Sequence, residues 1–512
     1  MQKAATDCRW EAMVTMPDIY DSFISAVREI GQLASIEAVL DWDSETFMPP
    51  NGLTVRAEQL ALMAALGHQR RADPRLGEML ARLEGTTDDP VRQTNIREMR
   101  RAHARAARIP NDLVRRIART SALAKSAWAE ARADSDFPAF APHLRELLDL
   151  KRQVADLLGF PKERYDALLD EFEPGVTTAQ ISELFALLRE PLVAFVKQLS
   201  ESRRKPDPSV LHRRFPKEAQ QRFGRRLAEA IGFDFRGGRL DVSTHPFCSG
   251  FGPGDVRFTT RYYEGFLNPS VFGVLHEAGH GMYEQGLDPA HAFTPMGSAI
   301  SLGVHESQSR LWENFVGRSR PFWERFFPEA QREFPQALGN VTLDEFYGAI
   351  NTVSPSTIRV EADEVTYNLH IVLRFELERD LLNGSLAVEN VPEAWRAKMK
   401  ELLGITPPSD AEGCLQDIHW SMGTFGYFPT YALGNLYAAQ LFGAAREAIP
   451  DFFVRIGRGE FGTLREWLRT NVHRHGQRYR AAELIHRLTG RPLSVQPFMD
   501  YIHLKYGPVY GL

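Results

Sequence analysis

The stretch His276-Glu277-Ala278-Gly279-His280 decides how this chain is read. Residues four apart share one face of an α-helix, so both imidazoles can turn toward a single ion. Glu277 is rotated about 100° from His276, which brings a carboxylate to a metal-bound water without making it a ligand. The chemistry that such a set supports is peptide hydrolysis. Its surroundings read as helical: Asn268 suits an N-cap, Pro269 the first helical position and Gly286 a left-handed C-terminal cap. Between them Val271, Phe272, Val274, Leu275 and Met282 supply apolar packing. The competing reading is a buried helix whose histidines only make structural hydrogen bonds.

A zinc site that still does chemistry takes three protein ligands and keeps one position for water, so a third ligand must come from elsewhere. Glu284 lies on the same helical face, but eight residues from His276 is about 12 Å along the axis, too far for one ion to be reached from both ends. The next dense candidate is His305-Glu306-Ser307-Gln308-Ser309-Arg310-Leu311-Trp312-Glu313, which reads as the start of a second helix. Spacing leaves His305, Glu306 and Glu313 open as the third ligand.

Working outward, a 512-residue chain with 43% hydrophobic residues can bury a sizeable core. Its formal net charge of −5 argues against a general attraction to nucleic acid or to an anionic membrane. The Arg-rich run from Arg97 to Arg119 reads as a solvated helix face. Cys8, Cys248 and Cys414 are scattered at no metal-ligand or redox spacing, which fits a reducing, cytoplasmic setting. No apolar run marks a secretory signal or a membrane span, and residues 1–16 read as a flexible tail. Residues 17–512 are expected to form one helical domain, with an N-terminal part over about 17–235 and a catalytic core over about 236–512.

Helical periodicity dominates. Ile19, Phe23, Ile24, Val27, Ile30 and Leu33 recur at spacings of mostly three and four, and Thr177 with Gln180 makes a capping box ahead of Ile181, Leu184, Phe185 and Leu188. A long helix is predicted from about Ala362 to Leu382, stopped by Asn383-Gly384. The exception is Leu240–Thr244 and Val256–Thr260, two extended runs flanking the Gly-rich 249–254 segment, which read as a hairpin just before the motif helix.

The ordered series Asp255-Val256-Arg257-Phe258-Thr259, His276 to His280, His305-Glu306-Ser307-Gln308, Ile358-Arg359-Val360-Glu361-Ala362-Asp363 and Gly413-Cys414-Leu415-Gln416-Asp417-Ile418-His419-Trp420 resembles the signature set of the carboxypeptidase Taq family of metal-dependent carboxypeptidases. The likeness extends to Leu40-Asp41-Trp42-Asp43 and Thr46-Phe47-Met48-Pro49 near the start and Lys505-Tyr506-Gly507 near the end. It implies that Glu306 is the third metal ligand beside His276 and His280; if Glu306 completes the site, Glu284→Ala and Glu313→Ala are expected to leave metal content nearly unchanged. It also implies a mainly α, saddle-like or clam-like fold with a deep groove and a small sheet at its edge, zinc as the ion with cobalt able to replace it, and a homodimer.

The expected reaction is removal of single C-terminal residues from peptides with a free C-terminus. Glu277 takes the proton of the metal-activated water and delivers it to the leaving amine. Oxyanion donors are sought in the aromatic segment His419 to Tyr431, with His419 and Tyr427 first and Tyr431 second. Arginine's planar fork suits a carboxylate, and the resemblance points first to Arg359, in the family-like Ile358-Arg359 to Ala362-Asp363 run directly before a helix, with Arg257 in the hairpin second. The plain alternatives are ion pairs with Asp363 and Asp255 respectively. Two other functions are weighed: a zinc oligopeptidase or dipeptide-releasing carboxypeptidase on a similar fold, and a noncatalytic, metal-stabilised peptide-binding protein.

Overall fold

The structure, a computed structural model, describes residues 16–512. The tail expected over residues 1–16, and Cys8 with it, lies outside the described residues except for Met16, which opens the first helix, Met16–Thr46. About 70% of the structure is helical, with one three-stranded sheet, so the mainly α class holds. The apolar pattern of the first helix works as read: Ile19, Phe23, Val27 and Ile30 are buried in a satellite core with Leu76, Leu80, Ile96 and Met99. The main core runs from Leu113 to Tyr510 and joins residues on both sides of position 236. Phe233, for example, packs edge-on against Phe258 at 4.8 Å.

The capping box forms, with the Gln180 amide N–H on Thr177 Oγ1 and the Thr177 N–H on Gln180 Oε1, and opens helix Thr178–Glu201. The sheet differs from the predicted hairpin. Strand β1 (Gly238–Val242) runs parallel to β3 (Asp255–Thr260), while β2 (Cys248–Gly252), taken as the Gly-rich turn, is itself the strand antiparallel to β3. Glycines at 250 and 252 hid it, because strand propensity is low exactly where side chains must be absent: a Cβ on Gly250 would fall 2.5 Å from Glu284 Oε2.

Two helix ends also differ. The helix expected from Ala362 begins at Tyr367 and ends at Asn383, with Gly384 left-handed at φ 80° as expected. Its start is delayed because Asp363 accepts hydrogen bonds from the amides of Ser354, Val365 and Thr366, which holds a turn in place of a first helical turn. The motif helix, Asn268–Gly286, has the expected bounds but neither expected cap. Asn268 makes no capping bond and Gly286 is not left-handed; a Cβ there would lie 2.3 Å from His473 Nδ1. The Arg-rich run splits. Arg115, Arg116 and Arg119 are exposed as read, whereas Arg101 and Arg105 pair with Asp170 and Arg108 donates to the Leu158 carbonyl, so that half is a seam between helices.

One buried carboxylate holds the loop that carries several functional candidates. Glu378, on helix Tyr367–Asn383, accepts from Trp420 Nε1 (2.9 Å), the Gly426 amide (3.1 Å) and Tyr165 Oη (2.9 Å). Burial pushes its carboxyl up to about 7, against the pull of those donors. Glu378→Leu keeps the volume but strands three buried donors, each costing about 1–3 kcal/mol. The variant is expected to lose at least ~3 kcal/mol in a denaturant titration; a loss under ~1 kcal/mol would show that the loop does not depend on this anchor.

Candidate active site

His276 and His280 project from one face of the motif helix toward a third side chain, Glu306. Glu306 Oε2 lies 3.6 Å from His276 Nε2 and 3.2 Å from His280 Nε2. Among the described residues these three groups offer ligand atoms that all lie within 4.8 Å of one another. Glu306 sits on helix Leu302–Arg310, whose N-terminus is capped by Ser301. Two glycines let the helices close on it. A Cβ on Gly279 would lie 2.7 Å from the Gln308 carbonyl oxygen, and a Cβ on Gly434, in helix Pro429–Ala448, would lie 2.4 Å from Glu306 Cγ. At the far end, Glu173 accepts from Ser301 Oγ and the Gly303 amide, and from Tyr437 of helix Pro429–Ala448, tying the two helices together.

The electrostatics favour a cation. Burial opposes ionisation of Glu306, but Arg310 and the histidines overcome it and hold the carboxyl well below its usual range. Arg310 Nε occupies Oε1 at 2.7 Å, which leaves Oε2 facing the imidazoles. Burial would lower His276, yet Glu306, Glu313 and Glu277 hold it up at about 9. His280, with less compensation, is pushed down by burial to about 3. Two imidazole nitrogens and one carboxylate oxygen are a donor set that zinc or cobalt accepts.

Neither His305 nor Glu313 joins the triad. Glu313 Oε2 bonds His276 Nδ1 at 2.8 Å, and His305 Nδ1 bonds His280 Nδ1 at 2.6 Å while its Nε2 bonds Glu284 Oε1 at 2.8 Å. Glu284 is thus connected to His280 through His305. Groups that hydrogen-bond ligand histidines generally tune metal affinity, which bears on the expectation that Glu284 and Glu313 are dispensable for metal. Glu313 falls in a π-helical turn, Leu311–Val316, that continues the Glu306 helix. Glu277 is hydrogen-bonded to none of them, though their charges act on it. It is 6% exposed, accepts no hydrogen bond among the described residues, and is raised to about 7, chiefly by burial.

The aromatic segment closes the other side. His419 Nε2 lies 3.3 Å from Tyr431 Oη, and the rings of His419, Tyr427 and Tyr431 form a cluster with centroids 5.3–6.1 Å apart. Burial first, and then the charge of Glu306, raise the Tyr427 phenol to about 12, which sets this cluster beside the triad.

Arg359 is buried, and its partner is not Asp363. Its Nε and Nη2 donate to Asp417 Oδ1 at 3.0 and 2.8 Å, and its Nη1 donates to Tyr367 Oη at 2.7 Å. Asp363 is taken up by the turn described above. Arg374 grips the other oxygen of Asp417 at 2.6 Å, so two buried guanidiniums share one carboxylate and one positive charge is left over. Tyr367 connects this cluster to the triad, because Arg310 lies 4.3 Å over its ring. Nothing in the sequence pattern marks Arg374 or Tyr367, because on a helix buried on all sides no polar face signals them. Arg257 stands apart from these contacts, paired with Asp255 through two 2.7 Å bonds and flanked by the rings of Trp42 and Phe251.

Residues 22–506 match the family model described as carboxypeptidase Taq (M32) metallopeptidase. Over 505 residues the chain is 48% identical to thermostable carboxypeptidase 1 of Thermus thermophilus, covering 96% of this chain and 99% of that one. It is 39% identical to carboxypeptidase 1 of Bacillus subtilis over 492 residues, with 96% and 98% covered. The crystal structure of the M32 carboxypeptidase from Deinococcus radiodurans R1 superposes with a TM-score of 0.93 at 41% identity, covering 96% of this chain and all of that one.

The close approach at Gly279 is testable. Gly279→Ala must push helix Leu302–Arg310 away by its backbone, at a cost of about 1–3 kcal/mol, and separate Glu306 from the histidines. Weaker divalent-cation binding is expected in a competition titration with a chromophoric chelator. A stable variant with unchanged affinity would show that the contact does not set the spacing.

Proposed function

The chain belongs to the carboxypeptidase Taq (M32) metallopeptidase family and is a metallocarboxypeptidase, and from that premise we propose that it removes single C-terminal residues from peptides by the following chemistry. His276, His280 and Glu306 hold the metal, with zinc as the default and cobalt able to replace it. The bound ion supplies Lewis acidity and a water whose pKa is lowered toward about 7. Glu277 accepts the water proton and hands it to the leaving amine; its lack of any hydrogen-bonding partner among the described residues supports this, since its lone pairs are free. Tyr427, protonated at neutral pH with its phenol at about 12, donates to the developing oxyanion. His419, kept neutral by burial at about 3, donates from Nε2, whose 3.3 Å contact with Tyr431 is long enough to give up. Tyr431 lines the substrate side.

Arg359 reads the substrate carboxylate. The observation that carries this reading is the surplus positive charge of Arg359 and Arg374 over Asp417 in a buried site joined to the triad through Tyr367. A substrate carboxylate would neutralise it, while Asp417 and Tyr367 hold the guanidinium in place. Arg257, already paired with Asp255, is the second candidate. Homodimerisation and a cytoplasmic location belong to the same proposal. No helix among the described residues is long and apolar enough to cross a membrane.

Glu277→Gln is expected to bind metal as tightly as the unaltered protein and to lose nearly all turnover, because an amide cannot accept the water proton. Glu306→Ala is expected to lose metal and activity together. Near-normal hydrolysis by metal-loaded Glu277→Gln sinks this mechanism.

Losing a buried, charge-assisted carboxylate contact typically costs about 2–5 kcal/mol. Arg359→Ala should therefore cut kcat/KM on free-acid peptides by several hundredfold or more and erase most discrimination against C-terminal amides, with metal retained. A variant that still prefers free acids assigns the carboxylate to another residue, Arg257 first. An unaltered protein that cleaves amides as fast as acids favours an oligopeptidase.

A further inference from the structure

The two histidines of the motif are supported differently. His276 Nδ1 bonds the carboxylate of Glu313, which is itself held by Arg310 at 3.2 Å and Arg318 at 3.7 Å. His280 Nδ1 instead meets another imidazole, His305, at 2.6 Å, with the ring planes 26° apart. Two imidazole nitrogens at that distance share one hydrogen bond, so one nitrogen donates and the other accepts. The next contact decides which. Glu284 as a carboxylate can only accept, so His305 Nε2, 2.8 Å away, carries a proton. In the neutral ring the other nitrogen of His305 then has a lone pair. His280 therefore donates from Nδ1, and its Nε2 lone pair is left facing Glu306 and the site.

From this we infer that His305 and Glu284 are positioning residues: a two-member relay that fixes the tautomer and ring orientation of His280 and strengthens it as a metal ligand. Among the described residues Glu284 has no salt-bridge partner but His305. Strand β2 leaves room for its free oxygen at Gly250, where an added Cβ would fall 2.5 Å from Oε2. The ring of Tyr283, 5.2 Å from His305, packs against the middle of the relay. The sheet thereby supports the metal site through a side chain that could not reach the ion. The inference rests on the reading of His280 as a metal ligand.

The test is a double-mutant cycle read as zinc affinity, by competition with a chromophoric chelator, on the full-length protein. His305→Phe should weaken zinc binding about 10- to 100-fold, the usual range for losing such a partner. Glu284→Gln alone should weaken it measurably, and should add nothing in the His305→Phe background, because Glu284 acts only through His305. Equal losses from Glu284→Gln in both backgrounds would overturn the relay, since they would mean that the charge acts through space. Unchanged affinity in His305→Phe would overturn it as well. Should His305→Phe not fold, Gly250→Ala and Glu284→Gln carry the test: both are expected to weaken zinc binding, and unchanged affinity in both refutes the relay. His280→Ala separates the two levels. Full zinc affinity there defeats the ligand reading, whereas its loss beside intact affinity in the relay variants defeats the relay alone.

Discussion

The spacing between two helices governs the site. Asn268–Gly286 and Leu302–Arg310 touch backbone to backbone at Gly279, where a single added methyl carbon would lie 2.7 Å from both Gln308 O and Ser309 Cα. A glycine at the fourth position of the motif is what brings Glu306 Oε2 to within 3.2–3.6 Å of the two imidazoles. From the other side Gly434 does the same for helix Pro429–Ala448, which also delivers Tyr431. Close packing at glycine transmits position rigidly, because there is no side chain to rearrange between the backbones.

Within that frame, charge is buried in balanced groups. Glu306 and Glu313 share Arg310, with Arg318 behind, and Asp417 is shared by Arg359 and Arg374. Around Asp417 one positive charge is left in excess, whereas Glu306 and Glu313 are matched by Arg310 and Arg318. Buried ions must be paired or hydrogen-bonded, so the excess around Asp417 suits an anionic group such as a carboxylate. Tyr367 joins the two, with its ring against Arg310 and its hydroxyl accepting from Arg359. The proposed exopeptidase chemistry uses that excess to hold the substrate's terminal carboxylate.

Two more buried carboxyls, Glu173 and Glu378, are raised to about 7 by burial and take no part in the proposed chemistry. Both gather donors from separate segments. Glu173 holds the start of the Glu306 helix against helix Pro429–Ala448, and Glu378 holds the loop that carries His419 and Tyr427. These are long-range clamps on the two halves of the site.

What the amino-acid order determines by itself is local. The four-residue spacing of His276 and His280, the capping box at Thr177 and the apolar rhythm of the first helix each follow from 3.6 residues per turn and from hydrogen bonds between near neighbours. The carboxypeptidase Taq motifs were legible in order along the chain, and with them the mainly α class. Only the tertiary structure decided that β2 runs through the Gly-rich segment, that Arg359 pairs with Asp417 and leaves Asp363 to a turn, and that Glu284 and Glu313 stand behind the histidines. The partners in question are 58, 21 and 37 positions apart for Arg359–Asp417, His305–Glu284 and His276–Glu313. Periodicity says which face of a helix is apolar, but not which other helix will meet it or where a glycine will let two backbones touch. That information lies in packing, where each contact depends on all the others.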